Sequence, residues 1–244
     1  MARLPRLYAP RVPQLVQARF ARPLAPADAP APAAALDRIG GWLTEEIGRA
    51  AMTTPNAGSA AAAGTVALHA WIVLPDRITL LATPGDETAL SHLMQALGRR
   101  MGSGLVRARV YAGRYRNALL EPGRWILPAM IWLESLPVST GQVGTATQWP
   151  WSSAAEHAGL GGTGPRPALT DHPDYWREGD TPFARQAAWR SRLAAGLGES
   201  QRLPIEAALS GQWALGERIF LTHLGRLASR RVSPAPRGRP RKAV

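Results

Sequence analysis

Two apolar runs joined by a short turn constrain this chain more than any other feature. Thr65 to Leu74 is rich in Val, Ile and Trp, the turn L-P-D-R spans Leu74 to Arg77, and Ile78 to Thr83 is again apolar and β-branched. Such side chains fit a pleated, half-buried surface, and proline with aspartate suits a chain reversal, so the runs read as adjacent antiparallel strands. A further strand is expected from Val12 to Phe20, where Leu15, Gln17 and Arg19 alternate with Val16, Ala18 and Phe20. Another is expected from Val110 to Leu120, with Arg114 and Arg116 on one face and Tyr115 on the other.

Helical spacing separates these strands. Leu36, Ile39, Leu43 and Ile47 mark an amphipathic helix from Leu36 to Ala51. A second helix is expected to begin at Thr83, with Thr83 as cap, Pro84 at the first helical position and Asp86 against the dipole. Leu90, Leu93, Met94, Leu97 and Met101 would form its buried stripe, and Arg99 and Arg100 would close it. Pro122 to Leu136 is helical in pattern but holds Pro128, which removes one backbone donor and predicts a kink. Phe183 to Leu197, Leu203 to Trp213 and Gly216 to Arg230 read as three further helices.

The expected fold is therefore α+β, a central antiparallel sheet flanked by helices, with a C-terminal helical region and a basic tail. The expected division is an α+β domain at 1–158 with flexible segments at 23–35 and 52–64, a connector at 159–182, a helical region at 183–231 and a tail at 232–244. No stretch reaches the roughly 18 uninterrupted apolar residues of a membrane span, so a cytoplasmic protein without membrane association is expected. Cysteine is absent, which excludes disulfides, thiolate metal sites and cysteine nucleophiles. His69, His92, His157, His172 and His223 show no close metal-ligand spacing and read as surface or core-edge residues.

Charge narrows the partners. Lys and Arg number 29 against 17 Asp and Glu, a formal net charge of +12, and Lys242 is the only lysine. A chain this basic favours polyanions.

Several short runs recur in a familiar order: L-P-x-x-x-x-L-L-x-T-P at Leu74 to Pro84, M-Q-A-L-G-R-R at Met94 to Arg100, and G-R-Y-R at Gly113 to Arg116. W-L-E-S-L-P-V-S-T-G at Trp132 to Gly141, W-P-W-S-S at Trp149 to Ser153 and W-A-L-G at Trp213 to Gly216 follow. With them the chain resembles the REP-associated tyrosine transposases, a branch of the insertion-sequence-200-like, HUH-type single-tyrosine transposases, over nearly its whole length. The resemblance implies a ferredoxin- or RRM-like α+β domain acting on single-stranded or hairpin DNA in transposition, possible homodimers, and Mg²⁺ or Mn²⁺ held by two histidines beside a nucleophilic tyrosine.

At those chemical positions the match fails. Arg77 and Thr79 stand where the histidines would, Trp132 stands where the tyrosine would, and Leu136 replaces the polar residue one turn on. Neither Arg77 nor Thr79 supplies an imidazole lone pair, and an indole N–H donates but cannot attack phosphorus. The expectation is a degenerate active site without catalytic residues or metal, on a scaffold that still binds DNA. The alternatives are an active transposase using displaced residues and a basic RNA-binding or interaction scaffold. Arg77 reads equally as a guanidinium holding a phosphate and as a solvated strand-end residue.

Two basic clusters carry the DNA-binding expectation. Arg99 and Arg100 with Arg114 and Arg116 would form a phosphate-contacting patch. The terminal P-R-G-R-P-R-K resembles an AT-hook core, in which Gly238 admits the backbone to the minor-groove floor between Arg237 and Arg239, with Arg241 and Lys242 beyond. It reads equally as a basic tail that adds nonspecific affinity.

Overall fold

A computed structural model describes residues 5–26, 29–52, 64–105, 108–161 and 166–234. Four antiparallel strands, β1 (Gln14–Arg19), β2 (Val66–Leu74), β3 (Arg77–Pro84) and β4 (Arg116–Leu119), form a sheet in the order β2-β3-β1-β4. Helix α1 (Ala33–Met52) lies between β1 and β2, α2 (Ala89–Gly104) lies between β3 and β4, and α3 (Ile126–Glu134) and α4 (Leu136–Ser139) follow β4. The chain ends in α5 (Ala154–His157), α6 (Pro173–Trp176), α7 (Pro182–Ala195), α8 (Glu199–Gly211) and α9 (Arg218–Leu227). The expected α+β architecture is present.

Strand register assigns the two faces. Gln17 stands opposite Thr79 on one side and Arg116 on the other, so these three share a face, and Ala18 with its partner Ile78 lies on the opposite one. Ala18 lines one cleft with Ser91 and Met94 of α2, whereas Arg116 reaches Ser210 of α8. Helices α1 and α2 pack on each other, and α3 packs on the sheet and on α8. Trp189, Ile205 and Leu209 belong to the same hydrophobic cluster as the strands, so the region 183–231 shares the sheet's core.

Open sheet edges are sites of unwanted pairing, and two of the recurring motifs close them. In W-P-W-S-S, Trp151 and Ser153 exchange backbone hydrogen bonds with β2, the Val73 N–H donating to the Trp151 carbonyl at 2.9 Å and the Ser153 N–H to the Trp71 carbonyl at 3.0 Å. In W-A-L-G, Leu215 bridges the far side of β4, its N–H donating to the Leu119 carbonyl at 2.8 Å.

Several local expectations are corrected. Strand β3 runs on through Pro84, opposite Val66, and α2 begins only at Ala89. The cap is Asp86, whose Oδ1 accepts from the Thr88 N–H at 2.7 Å and the Ala89 N–H at 2.9 Å. Thr83 instead donates its hydroxyl to His69. Helix α2 also continues to Gly104, past Arg99 and Arg100. Pro128 causes no kink because α3 starts at Ile126, which places the proline in the first turn, where no intrahelical donor is needed. Segment 23–35 already turns helical at Ala33, and most of 52–64 lies outside the described residues.

Three histidines lie deeper than the surface or core-edge placement expected of them: His69, His157 and His172 are buried. His69 sits at the register shift between Leu68 and Ala70, a bulge that re-aims its ring. Its Nδ1–H donates to the Thr170 carbonyl at 2.6 Å and its Nε2 accepts from Thr83 Oγ1 at 2.8 Å, which needs the neutral ring. Burial first, and then the neighbouring His172 and His157, hold its pKa down at about 4 against the backbone hydrogen bond to Thr170.

A histidine folded neutral stabilises the protein fully above its unfolded pKa, and that contribution is lost as pH falls through the folded one. Between pH ~6.5 and ~4 the wild type should lose about 3 kcal/mol through this group. Urea unfolding across that window should show a shallower acid decline for His69→Gln, which keeps both hydrogen-bonding senses. Equal slopes would contradict the assignment.

Candidate nucleic-acid interface

A cleft opens at the side of α2, between that helix, the loop before β4 and the N-terminal segment around Arg6. Backbone pairing continues past β1, with Phe20 opposite Tyr111, and then breaks: residues 112–115 face only residues 18–19 before the ladder resumes at Gln17 and Arg116. Two residues are surplus to the ladder, so the expected strand from Val110 runs in continuous register only from Arg116. Tyr111 anchors the loop, donating its hydroxyl to the Met94 carbonyl at 3.2 Å and lying against Gly98, where a Cβ would stand 2.8 Å from the ring. Gly98 is therefore needed for this close approach.

The cleft has a volume of about 790 Å³, and its floor is apolar, with Ala18, Met94, Val110 and Tyr111. Its rim carries Arg6, Arg99, Arg109 and Arg114, and among the described residues no Asp or Glu lines it. The Arg6 guanidinium lies 3.8 Å above the Tyr115 ring and donates to Ser91 Oγ at 3.3 Å. Tyr115 is buried and shares the Ser91 hydroxyl at 3.1 Å. Burial, opposed by Tyr115 and reinforced by Arg114, lowers the Arg6 pKa from its usual high value. Arg109 curls onto the loop, donating to the carbonyls of Tyr111 and Ala112, both at 2.9 Å. Arginines at an acid-free rim above an apolar floor can hold phosphates while bases or sugars lie below.

The structure divides the predicted arginine patch. Arg99 and Arg114 line the cleft. Arg100 turns away to α1, donating to Glu45 at 2.5 Å and Glu46 at 2.9 Å, pairings that raise its pKa. Arg116 reaches Ser210 at 3.3 Å on the other face of the sheet. Arg237, Gly238, Arg239, Arg241 and Lys242 lie outside the described residues. Sequence reasoning missed Arg6 and Arg109; the basic opening run around Arg6 was the available signal, and nothing in the sequence marked Arg109.

The four positions that the sequence resemblance set against catalytic residues, Arg77, Thr79, Trp132 and Leu136, are not gathered into one pocket. Arg77 is held by its neighbour Asp76 in a bidentate pair, with Nε–Oδ1 at 2.8 Å and Nη2–Oδ2 at 2.6 Å, beside a cavity of about 290 Å³ shared with Pro26, Thr140 and Gln142. Thr79 is buried in the sheet and accepts from Gln17 Nε2 at 3.3 Å. Trp132 and Leu136 line a different cavity, of about 330 Å³, against α8, where the Trp132 indole donates to Glu206 at 3.3 Å. A guanidinium already neutralised by a carboxylate and a buried threonine hydroxyl do not fit a divalent cation.

Behind this face lies a polar node that sequence reasoning also missed. Glu134 is buried completely; its Oε1 accepts from Ser153 Oγ and His157 Nδ1, both at 2.6 Å, and its Oε2 from Trp189 Nε1 at 2.9 Å. Burial works against charge on His157, but the Glu134 carboxylate, with Asp171 and Glu156, outweighs it and raises its pKa.

Fold and cleft together define a basic α+β domain with an arginine-rimmed groove beside an antiparallel sheet. The same fold occurs in a solved REP-associated tyrosine transposase bound to a REP hairpin, with a TM-score of 0.50 at 16% identity over 71% of this chain and 96% of that one. No family model matches the chain, and no curated protein matches it. Among the described residues, no helix is long and apolar enough to cross a membrane.

Proposed function

We propose that the protein is a transposase-related, DNA-binding protein that grips a single-stranded or hairpin strand in the cleft of Arg6, Arg99, Arg109 and Arg114 and does not cut it. The observation that carries this reading is the acid-free arginine rim above an apolar floor. The shared fold supports it, because the solved structure with that fold is bound to a REP hairpin. Trp132, which donates to Glu206, and Arg77, which is held by Asp76, support the loss of cleavage: neither offers a nucleophilic oxygen or a metal ligand. The terminal Arg237, Gly238, Arg239, Arg241 and Lys242 would add a second, minor-groove or nonspecific contact.

The test is incubation of the full chain with an end-labelled single strand bearing a hairpin, in Mn²⁺ or Mg²⁺. The expected result is salt-sensitive retention of the strand and no labelled protein after denaturation. A denaturant-resistant adduct would overturn the loss of cleavage, and RNA displacing the strand at equal salt would overturn the preference for DNA.

A further inference from the structure

We infer that Ser229, at the far end of the chain, is a positioning residue for Arg6 and so sets how firmly the cleft holds its strand. The inference rests on the reading of the cleft as a nucleic-acid site. Arg6 belongs to no helix or strand, and its side chain bends across the Tyr115 ring into the cleft. What fixes its backbone comes from more than 220 positions away in sequence. The Ser229 hydroxyl donates to the Arg6 carbonyl at 2.8 Å and accepts from the Tyr8 N–H at 3.0 Å, while the Ser229 N–H donates to the Tyr8 carbonyl at 2.9 Å.

One hydroxyl thus closes both ends of the tripeptide Arg6-Leu7-Tyr8. Between them Leu7 is fully buried in a small cluster with Leu119, Leu224 and Val232, and its carbonyl accepts from Asn117 Nδ2 at 2.7 Å. Ser229 is itself fixed on both sides: Ala228 N–H donates to the Leu224 carbonyl at 2.9 Å and Ala214 N–H to the Val232 carbonyl at 2.8 Å.

The hydroxyl's own bonds are solvent-exposed, so water can replace them when it is removed and the fold loses little. What is lost is the fixed starting point of a long side chain. A guanidinium that must be ordered on binding contributes less affinity than one already in place.

The experiment compares wild type, Arg6→Ala, Ser229→Ala, Ser229→Thr and the Arg6→Ala/Ser229→Ala double variant, titrated against a fluorescein-labelled single-stranded oligonucleotide carrying a hairpin. Arg6→Ala should weaken binding about tenfold and Ser229→Ala about threefold, while the double variant should be no weaker than Arg6→Ala. Ser229→Thr, which keeps the hydroxyl, should bind as wild type. Losses that multiply in the double variant, or a silent Ser229→Ala beside a weakened Arg6→Ala, would overturn the coupling. If wild type does not bind, or Arg6→Ala binds as wild type, the reading of the cleft fails instead. The coupling is then decided by the Arg6 Nε–Hε resonance, which should collapse toward solvent-averaged positions in Ser229→Ala only; an unchanged resonance overturns it.

Discussion

Replacing Arg99, Arg109 and Arg114 together with alanine should weaken binding of a single-stranded oligonucleotide by about a hundredfold near physiological salt. It should also flatten the dependence of log K on log salt by about two units. Each guanidinium that neutralises a phosphate releases condensed counterion, and single strands return roughly 0.7 of a unit per contact. All three line the same acid-free cleft, so their effects should appear together. The contrasting pair is Arg100 and Arg116, which the same basic motifs contain but which face Glu45, Glu46 and Ser210 instead. Alanine at both should change affinity by about twofold or less, because Arg100 is paired with Glu45 and Glu46 and Arg116 lies on the other face of the sheet from the cleft. Fluorescence anisotropy across a salt series reads both quantities. Equal losses from the two sets would mean that net charge, not the cleft, holds the strand.

Glu134→Ala should be the most damaging single substitution in the core, costing about 3–5 kcal/mol in equilibrium unfolding. The carboxylate is fully buried and serves three donors at once, from Ser153, His157 and Trp189. Removing it leaves a buried imidazole, a serine hydroxyl and an indole N–H without their acceptor. The same group also ties α7 and the segment that covers the β2 edge to α3, so its loss loosens contacts between elements far apart in sequence. Replacing both ionisable partners, with Glu134→Leu and His157→Phe, should recover part of the loss, because no unpaired charge remains. Denaturant titrations followed by tryptophan fluorescence measure all three proteins. A loss below about 1 kcal/mol for Glu134→Ala would show that the node is unimportant to stability.

The strands were legible where the sequence alternates or is continuously β-branched, because a strand's period of two is local information. β1 and the β2–β3 hairpin follow that pattern closely. Turn chemistry was less legible. Thr83 and Pro84 carry the residue types of a helix start, yet Pro84 ends a strand, and the true cap, Asp86, lies two residues later. Pro128 misled for a related reason, since its effect depends wholly on where the helix begins, and Ile126 as first residue makes it harmless.

The site was half legible. Arg99 and Arg114 could be named from basic motifs, but their partition from Arg100 and Arg116 depends on helix phase and on the break in register at residues 112–115. The Glu134–His157 pair left no trace in the sequence, because its members come from different helices brought together only when Trp151 and Ser153 pair with β2. Arg6 lies in a basic opening run, but its place at the cleft depends on a serine at the opposite end of the chain, which no local pattern reveals.

The most direct test of the cleft as the strand-binding surface is to locate the strand. Photocrosslinking of a 5-iodouracil-substituted hairpin-bearing oligonucleotide to the full chain, followed by peptide mapping, should place adducts on Tyr111 and on peptides carrying Arg99 or Arg114. Adducts concentrated instead around Trp132, in the groove against α8, would contradict the account.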